Sequence, residues 1–168
     1  MYGIEYEEFP ARIAEVAMWL IDHQMNMLTS ETFGQYFVRL PLKKAANIVH
    51  DNALRIDWGT VVPKDKLSYI LGNPPFGGKH LQSKEQRQDI ETLMADVKNA
   101  SDLDYVSCWF FKAAKFIKST QIQVAFVSTN SISQGEQVLI LWSTLINDFS
   151  IKINFAHRTF KWTNEASG

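Results

Sequence analysis

Short apolar runs alternate with longer amphipathic stretches along this chain, a pattern that predicts strands interleaved with helices. Tyr2-Gly3-Ile4-Glu5 opens as a strand-like segment. Residues 9 to about 27 place Phe9, Ile13, Val16, Ala17 and Leu20 at helical spacing. Pro10 suits the start of that helix, and the acids Glu5, Glu7 and Glu8 precede it. A polar and aromatic connection over 29–44 follows, then a short strand at Ile48-Val49 leading into Asp51-Asn52-Ala53-Leu54. Ser68-Tyr69-Ile70-Leu71 predicts a buried strand, and Gly72 permits a tight turn after it. Residues 77 to about 99 are charged and read as a mobile, solvated helix or loop, with a substrate-covering loop as the functional alternative. Val106, Trp109, Phe110, Ala113 and Ile117 predict an amphipathic helix over 104–118. Residues 122–128 form a continuous apolar strand of the buried parallel kind, 134–147 a further helix, and 151–156 a last strand. The alternation implies a doubly wound α/β sheet, mainly parallel, with helices on both faces.

The densest chemistry follows the 68–71 run, in Asn73-Pro74-Pro75-Phe76. Two prolines fix φ, remove two backbone donors and hold Asn73 extended. This leaves a side-chain amide and outward-facing carbonyls as acceptors beside an aromatic face. A planar amino group suits that arrangement: the acceptors take its hydrogens while the ring stacks on its heterocycle. Bound so, the nitrogen is drawn toward tetrahedral geometry, and its lone pair is free to attack an electrophilic methyl group. The same four residues can also be no more than a rigid turn.

The 168 residues are one domain's length, with enough apolar and aromatic content for a core. A net charge of −1 leaves no overall basic footprint, which argues against DNA binding by this stretch alone. The one cysteine, Cys108, lies in an apolar run and reads as a buried structural thiol, in keeping with a reducing cytoplasm. No apolar stretch approaches a bilayer span, and the acidic N-terminus is unlike a signal peptide, so no membrane partner is expected. The edges of the chain read as those of a piece of a longer polypeptide.

The order of elements resembles the class I S-adenosylmethionine-dependent adenine-N6 DNA methyltransferases. It is most like the methyltransferase region of the large type II restriction–modification polypeptides. The resemblance spans nearly the whole chain. Its most specific segments are Tyr2–Glu5, Asn52-Ala53-Leu54-Arg55-Ile56-Asp57-Trp58, Gly72-Asn73-Pro74-Pro75-Phe76, Ser128-Thr129-Asn130-Ser131-Ile132-Ser133-Gln134-Gly135-Glu136-Gln137, and residues 157–165. It implies a partial Rossmann-like sheet, S-adenosylmethionine as cofactor, and double-stranded DNA with a flipped adenine as substrate. Under it, Glu5 holds the cofactor's ribose hydroxyls, a role that suits a carboxylate at a strand end. Ile4 or Tyr6 lines the adenine pocket, and Asn52, beside Ala53, reads the cofactor's adenine amino group. Asp57 is the runner-up for that role, with a solvated loop acid as its competing account. Asn73 and the Pro74 carbonyl take the target amino group, Phe76 stacks on the flipped base, and Phe160, or else Trp162, packs against it. His157, Arg158 and Lys161 are candidates for phosphate contact, or else a solvated strand end.

The chain departs from that pattern. The glycine-rich cofactor loop, the first and last strands and the target-recognition domain are absent from it. The remainder of its own polypeptide is therefore an expected partner. The piece alone is expected to have little activity and to self-associate through unpaired edges. Asn-Pro-Pro-aromatic also occurs in RNA-base and protein-glutamine methyltransferases, and a non-catalytic binding or assembly remnant is the reading from a different class.

Overall fold

The computed structural model describes residues 1–34 and 46–161, and the chain divides into two compact units, Met1–Leu67 and Ser68–Gly168. In the first unit, strand β1 (Tyr2–Glu5) leads into helix α1 (Glu8–Phe33), and β2 (Asn47–His50) returns parallel to β1. The register pairs Tyr2 with Asn47 and Glu5 with His50. A short helix α2 (Trp58–Val61) closes the unit, its Trp58, Val61 and Val62 buried with Leu54.

Helix α1 is longer than its apolar pattern suggests. Pro10 falls on the third helical residue, still within the first turn, where its missing N–H has no intrahelical acceptor to lose. The helix continues past Met27 because its polar end can remain helical. Thr29, Ser30 and Thr32 donate their hydroxyls back to the carbonyls of Met25, Asn26 and Leu28 at 2.7, 2.7 and 2.8 Å. Gly34, left-handed at φ 64°, ends it. The remainder of the expected 29–44 connection, from residue 35, lies outside the described residues. The stripe of Phe9, Ile13, Val16 and Leu20 is helical as expected but exposed, and Ala11 is the buried position of the helix.

The second unit is built on another parallel pair, β3 (Tyr69–Gly72) and β4 (Gln123–Phe126), which pairs Gly72 with Phe126. Helices α3 (Lys84–Leu93) and α4 (Ser107–Ile117) lie between the strands in sequence, and α5 (Gln137–Ser143) follows them. Nearly complete burial of Ile90, Met94, Leu103, Val106, Cys108, Leu141 and Leu145 defines the core. Each such side chain contributes about 1.5–3 kcal/mol through loss of apolar contact with water. On one face of the strand pair the Phe110 ring meets Phe126 edge-on at 5.2 Å and Trp142 at 6.0 Å.

Four expectations are corrected here. The 68–71 strand is not buried: Tyr69 and Leu71, alternate residues on the face away from Phe126, are 63% and 76% exposed. Gly72 makes no turn of its own. It is the last residue of β3, and its missing side chain admits the Phe126 ring, which a Cβ there would meet at 3.2 Å. Residues 151–161 form no strand, and Ile153 and Phe155 stand exposed. Alternating apolar residues become a strand only when a neighbouring edge accepts their backbone groups, and among the described residues none pairs with them. The last helix begins at Gln137 rather than 134, after left-handed Gly135, and relaxes into a π-helical turn over Thr144–Asp148.

Cys108 is buried on α4 as the sequence suggests. Loss of solvation, with Asp89 nearby, pushes its thiol up from the usual 9.0 to about 12. The folded chain therefore keeps this proton over a range in which the unfolded chain releases it. The resulting stability is complete below pH 9 and drains away as the pH rises from 9 toward 12. Thiol-labelling reagents at pH 8 should leave Cys108 unmodified until denaturant is added, and Cys108→Ser should flatten the alkaline limb of the stability curve. Rapid labelling of the native chain would contradict this burial.

Candidate functional site

Parallel pairing gathers the candidate residues at strand C-termini, because both strands of a pair run the same way and end at one edge. In the first unit, Ile4 and Glu5 end β1 while Asp51, Asn52 and Ala53 follow directly after β2. The Asp51 N–H donates to the Glu5 carbonyl at 2.9 Å, which fixes the two strand ends side by side. One Glu5 carboxylate oxygen accepts the Glu7 N–H at 3.2 Å. Its other oxygen, on a half-buried side chain, is available to a hydroxyl donor.

Asn52 is shaped by its own turn. Its amide oxygen accepts the Leu54 N–H at 2.8 Å, and its N–H donates to the Asp51 carboxylate at 2.6 Å. The Asn52 carbonyl takes the N–H groups of Arg55 and Ile56 at 2.9 and 3.0 Å. This Asx turn commits part of the amide oxygen and turns the NH₂ into the free recognition group. A heterocycle at this edge would meet a donor at least as readily as an acceptor.

Asp57 has a structural commitment of its own. It is the N-cap of α2, accepting the Gly59 N–H at 2.8 Å, while its carbonyl takes the Thr60 hydroxyl at 2.7 Å. Trp58 supports the same turn by donating its indole N–H to the Ala53 carbonyl at 2.8 Å. Tyr6 is exposed just beyond β1.

In the second unit, Asn73-Pro74-Pro75-Phe76 leaves the end of β3 directly. The Val127 N–H extends the ladder to the Gly72 carbonyl at 3.0 Å, so Ser128 and Thr129 run beside the turn's origin. Pro74 is buried, whereas Asn73 and Pro75 are exposed and Phe76 shows 51% of its surface. Neither the Asn73 amide nor the Pro74 carbonyl accepts a hydrogen bond from any described residue. An exposed amide and an exposed aromatic ring thus flank an unpaired Pro74 carbonyl on a backbone stiffened by two fixed φ angles. The Asn130–Ser133 segment is a 3₁₀ turn held by Trp142, whose indole N–H donates to the Ile132 carbonyl at 2.7 Å.

Phe160 lies in the irregular 151–161 segment, its ring edge-on to His157 at 5.7 Å. His157, Arg158 and Lys161 are exposed in the same segment, and Trp162 lies outside the described residues. The cofactor-type candidates therefore cluster in one unit and the Asn73–Phe76 turn lies in the other. Among the described residues no group of three acidic, histidine or cysteine side chains could hold a metal, and no helix is long and apolar enough to cross a membrane.

Sequence reasoning missed the residues that hold the stretch after Phe76. Residues 77 to about 99 are expected to be a mobile, solvated helix or loop; a helix, α3, does form there, and Gly77 and Lys79 are hydrogen-bonded to Tyr105 and Asp104, just before α4. Helix α3 opens with a capping box in which Ser83 and Gln86 satisfy each other's backbone N–H groups at 3.2 and 3.0 Å. That Ser-x-x-Gln spacing was the signal available in the sequence.

Known proteins bear directly on this arrangement. A family model described as MmeI, DNA-methyltransferase domain, matches residues 1–168. DNA methyltransferase A of Bacillus subtilis (strain 168) is 45% identical over 168 residues, spanning 98% of this chain and 19% of the relative. The solved structure of the Type IIL restriction–modification enzyme MmeI in complex with DNA is 57% identical, with a TM-score of 0.90. That match covers 99% of this chain and 22% of the MmeI chain. The present chain thus spans about one fifth of the length of either protein.

The cap reading of Asp57 has a direct test. Asp57→Ala removes the acceptor of the Gly59 N–H and should lower stability by about 1 kcal/mol, whereas Asp57→Asn or Asp57→Ser should recover most of it. Denaturant titration of the three variants measures this, and an unchanged Asp57→Ala would remove the cap from the account.

Proposed function

Because the chain belongs to the family of the MmeI DNA-methyltransferase domain, with the partial Rossmann-like fold of that enzyme, we propose that it transfers a methyl group from S-adenosylmethionine to the N6 amino group of a flipped adenine in duplex DNA. It does so as part of a longer restriction–modification polypeptide. The observation that carries the reading is the exposed Asn73 amide and the neighbouring Pro74 carbonyl, neither hydrogen-bonded to a described residue, beside the exposed Phe76 ring. On this reading β1 is the second strand of the family's sheet, and the 168 residues are a partial catalytic domain.

The residues present fit the adenosine end of the cofactor. Glu5 offers a free carboxylate oxygen at a strand end, and Asn52, next to Ala53 and Ile4, offers its amide NH₂. A carboxylate suits a ribose diol because it accepts from both hydroxyls, and an amide donor suits a ring nitrogen. When bound, the cofactor's sulfonium supplies the electrophilic methyl carbon.

The chain's own part is to prepare the nucleophile. Asn73 and Pro74 accept the two amino hydrogens and draw that nitrogen out of conjugation with the ring. Phe76 holds the base by stacking, worth about 1–3 kcal/mol, and Phe160 is a second candidate for the same base. As the N–C bond forms, the C–S electrons stay with sulfur and the surplus amino proton leaves to water. A base of near-neutral pKa is not needed, and alignment supplies much of the rate.

In the complete polypeptide, Asn73→Ala should cut single-turnover methylation of DNA adenine by at least about 100-fold, with S-adenosylmethionine affinity unchanged. Glu5→Ala should do the reverse, raising the cofactor Kd by about 10- to 150-fold through loss of charge-assisted hydrogen bonds. Calorimetry with rapid-quench transfer to labelled DNA, RNA and protein substrates measures both. Unchanged turnover in Asn73→Ala, or transfer to RNA or protein in preference to DNA, would overturn the reading.

A further inference from the structure

The four residues of the amino-binding turn run between two anchored carbonyls. At one end the Gly72 carbonyl belongs to the β3–β4 ladder through the Val127 N–H. At the other, the Gly77 carbonyl accepts two donors, the Tyr105 N–H at 2.8 Å and the Gln82 side-chain amide at 3.3 Å. Gln82 is buried and spends its second amide hydrogen on the Leu103 carbonyl at 2.9 Å. Two residues beyond Gly77, the Lys79 N–H donates to the buried carboxylate of Asp104 at 3.0 Å. Asp104 is itself fixed, since its N–H donates to the Gln137 side chain at 2.9 Å.

The close fit leaves no slack. A Cβ on Gly77 would meet the Cβ of Tyr105 at 3.1 Å, so the loop lies directly against the chain that enters α4. The Tyr105 hydroxyl is anchored in turn by Asp89 of α3 at 2.8 Å. An exposed ion pair between Lys79 and Asp102 adds little, because water screens it. The buried hydrogen bonds carry the restraint, for breaking one would leave a buried group unpaired. Between the two anchors, two prolines remove most of the remaining torsional freedom. The backbone positions from which the Asn73 amide and the Phe76 ring project are therefore set from outside the turn.

We propose that Asp104 and Gln82 are positioning residues for methyl transfer: by clamping Gly77 and Lys79 to the start of α4 they aim the Asn73–Phe76 acceptors and ring at the target amino group. This rests on the function proposed above. Neither residue touches substrate; each acts through the backbone after Phe76. Misplacement of reacting groups by about 1 Å can cost on the order of 100-fold in rate, which is the scale a loosened clamp would produce.

The test uses the complete polypeptide with Asp104→Ala, Asp104→Asn, Gln82→Ala and, as a stability control, Ile90→Val. Ile90 is buried on α3 and its side chain makes no hydrogen bond. Two readouts are taken: hydrogen exchange of the 73–81 backbone, and single-turnover transfer alongside separate Kd values for cofactor and DNA. Asp104→Ala should speed exchange in that segment and lower the transfer rate by about 10- to 100-fold, with both Kd values within about twofold of the parent. Asp104→Asn keeps an oxygen for the Lys79 N–H and should recover most of the rate. Gln82→Ala should reproduce the loss should Asp104→Ala fold poorly. Unchanged exchange in both alanine variants overturns the clamp, as does a rate loss that Ile90→Val matches at equal thermal midpoint. If the parent polypeptide methylates no DNA adenine, the proposed function fails, and the exchange measurement still decides whether the clamp exists.

Discussion

Parallel strand pairing is the constraint on which the rest of this structure depends. Two parallel strands cannot be joined by a hairpin, so the chain between them must cross back over the sheet. In the first unit α1 lies between β1 and β2; in the second, α3 and α4 lie between β3 and β4. The reward of that long connection is that both strands of each pair end at one edge. Glu5 meets Asp51, the neighbour of Asn52, there in one unit, and Gly72 meets Val127 in the other, from which the Asn73 turn and the Thr129 segment depart together. Chemistry can then be carried on short loops while the strands supply rigidity.

Much of this was legible in the sequence because its signals are local. Apolar spacing found α1 and α4, and Asn73-Pro74-Pro75-Phe76 announces itself through restrictions that proline imposes wherever it stands. Cys108 was legible because a thiol within Val106–Phe111 has few polar neighbours to activate it. What failed were statements about partnership. Whether Tyr69 and Leu71 are covered depends on what lies over that face, and no residue within the strand encodes its neighbour. The same holds for 151–156, where the pattern was sound and the partner edge was missing among the described residues. α1 outran its apolar stripe because Thr29, Ser30 and Thr32 satisfy their hydroxyls along the helix, a choice that composition alone reads as a loop.

The candidate site divides along the same line. Residue types and strand ends were readable: Glu5 ends β1, Asn52 follows β2 and Asn73 follows β3. Their hydrogen-bond commitments were not. Asn52 spends an acceptor on Leu54, and Asp57 spends a carboxylate on the cap of α2. Gln82 and Asp104 carried no sign of being bound to residues 77–79, because the partners sit 5 to 25 positions apart in sequence and converge only in the folded chain. Side chains that support a site are harder to read than those that face it, since their evidence is a geometry rather than a residue type.

The burial of Cys108 has a chemical consequence for a protein whose proposed work is to handle an alkylating sulfonium. Sulfur is the softest nucleophile a chain can offer, and a thiolate within reach of such a donor would compete with the intended acceptor and be consumed irreversibly. Cys108, the chain's single cysteine, is fully covered and is kept as a neutral thiol up to about pH 12. The described fold thus holds its one thiol silent, and the sulfur that could turn into the strongest competing nucleophile is withheld from the electrophile.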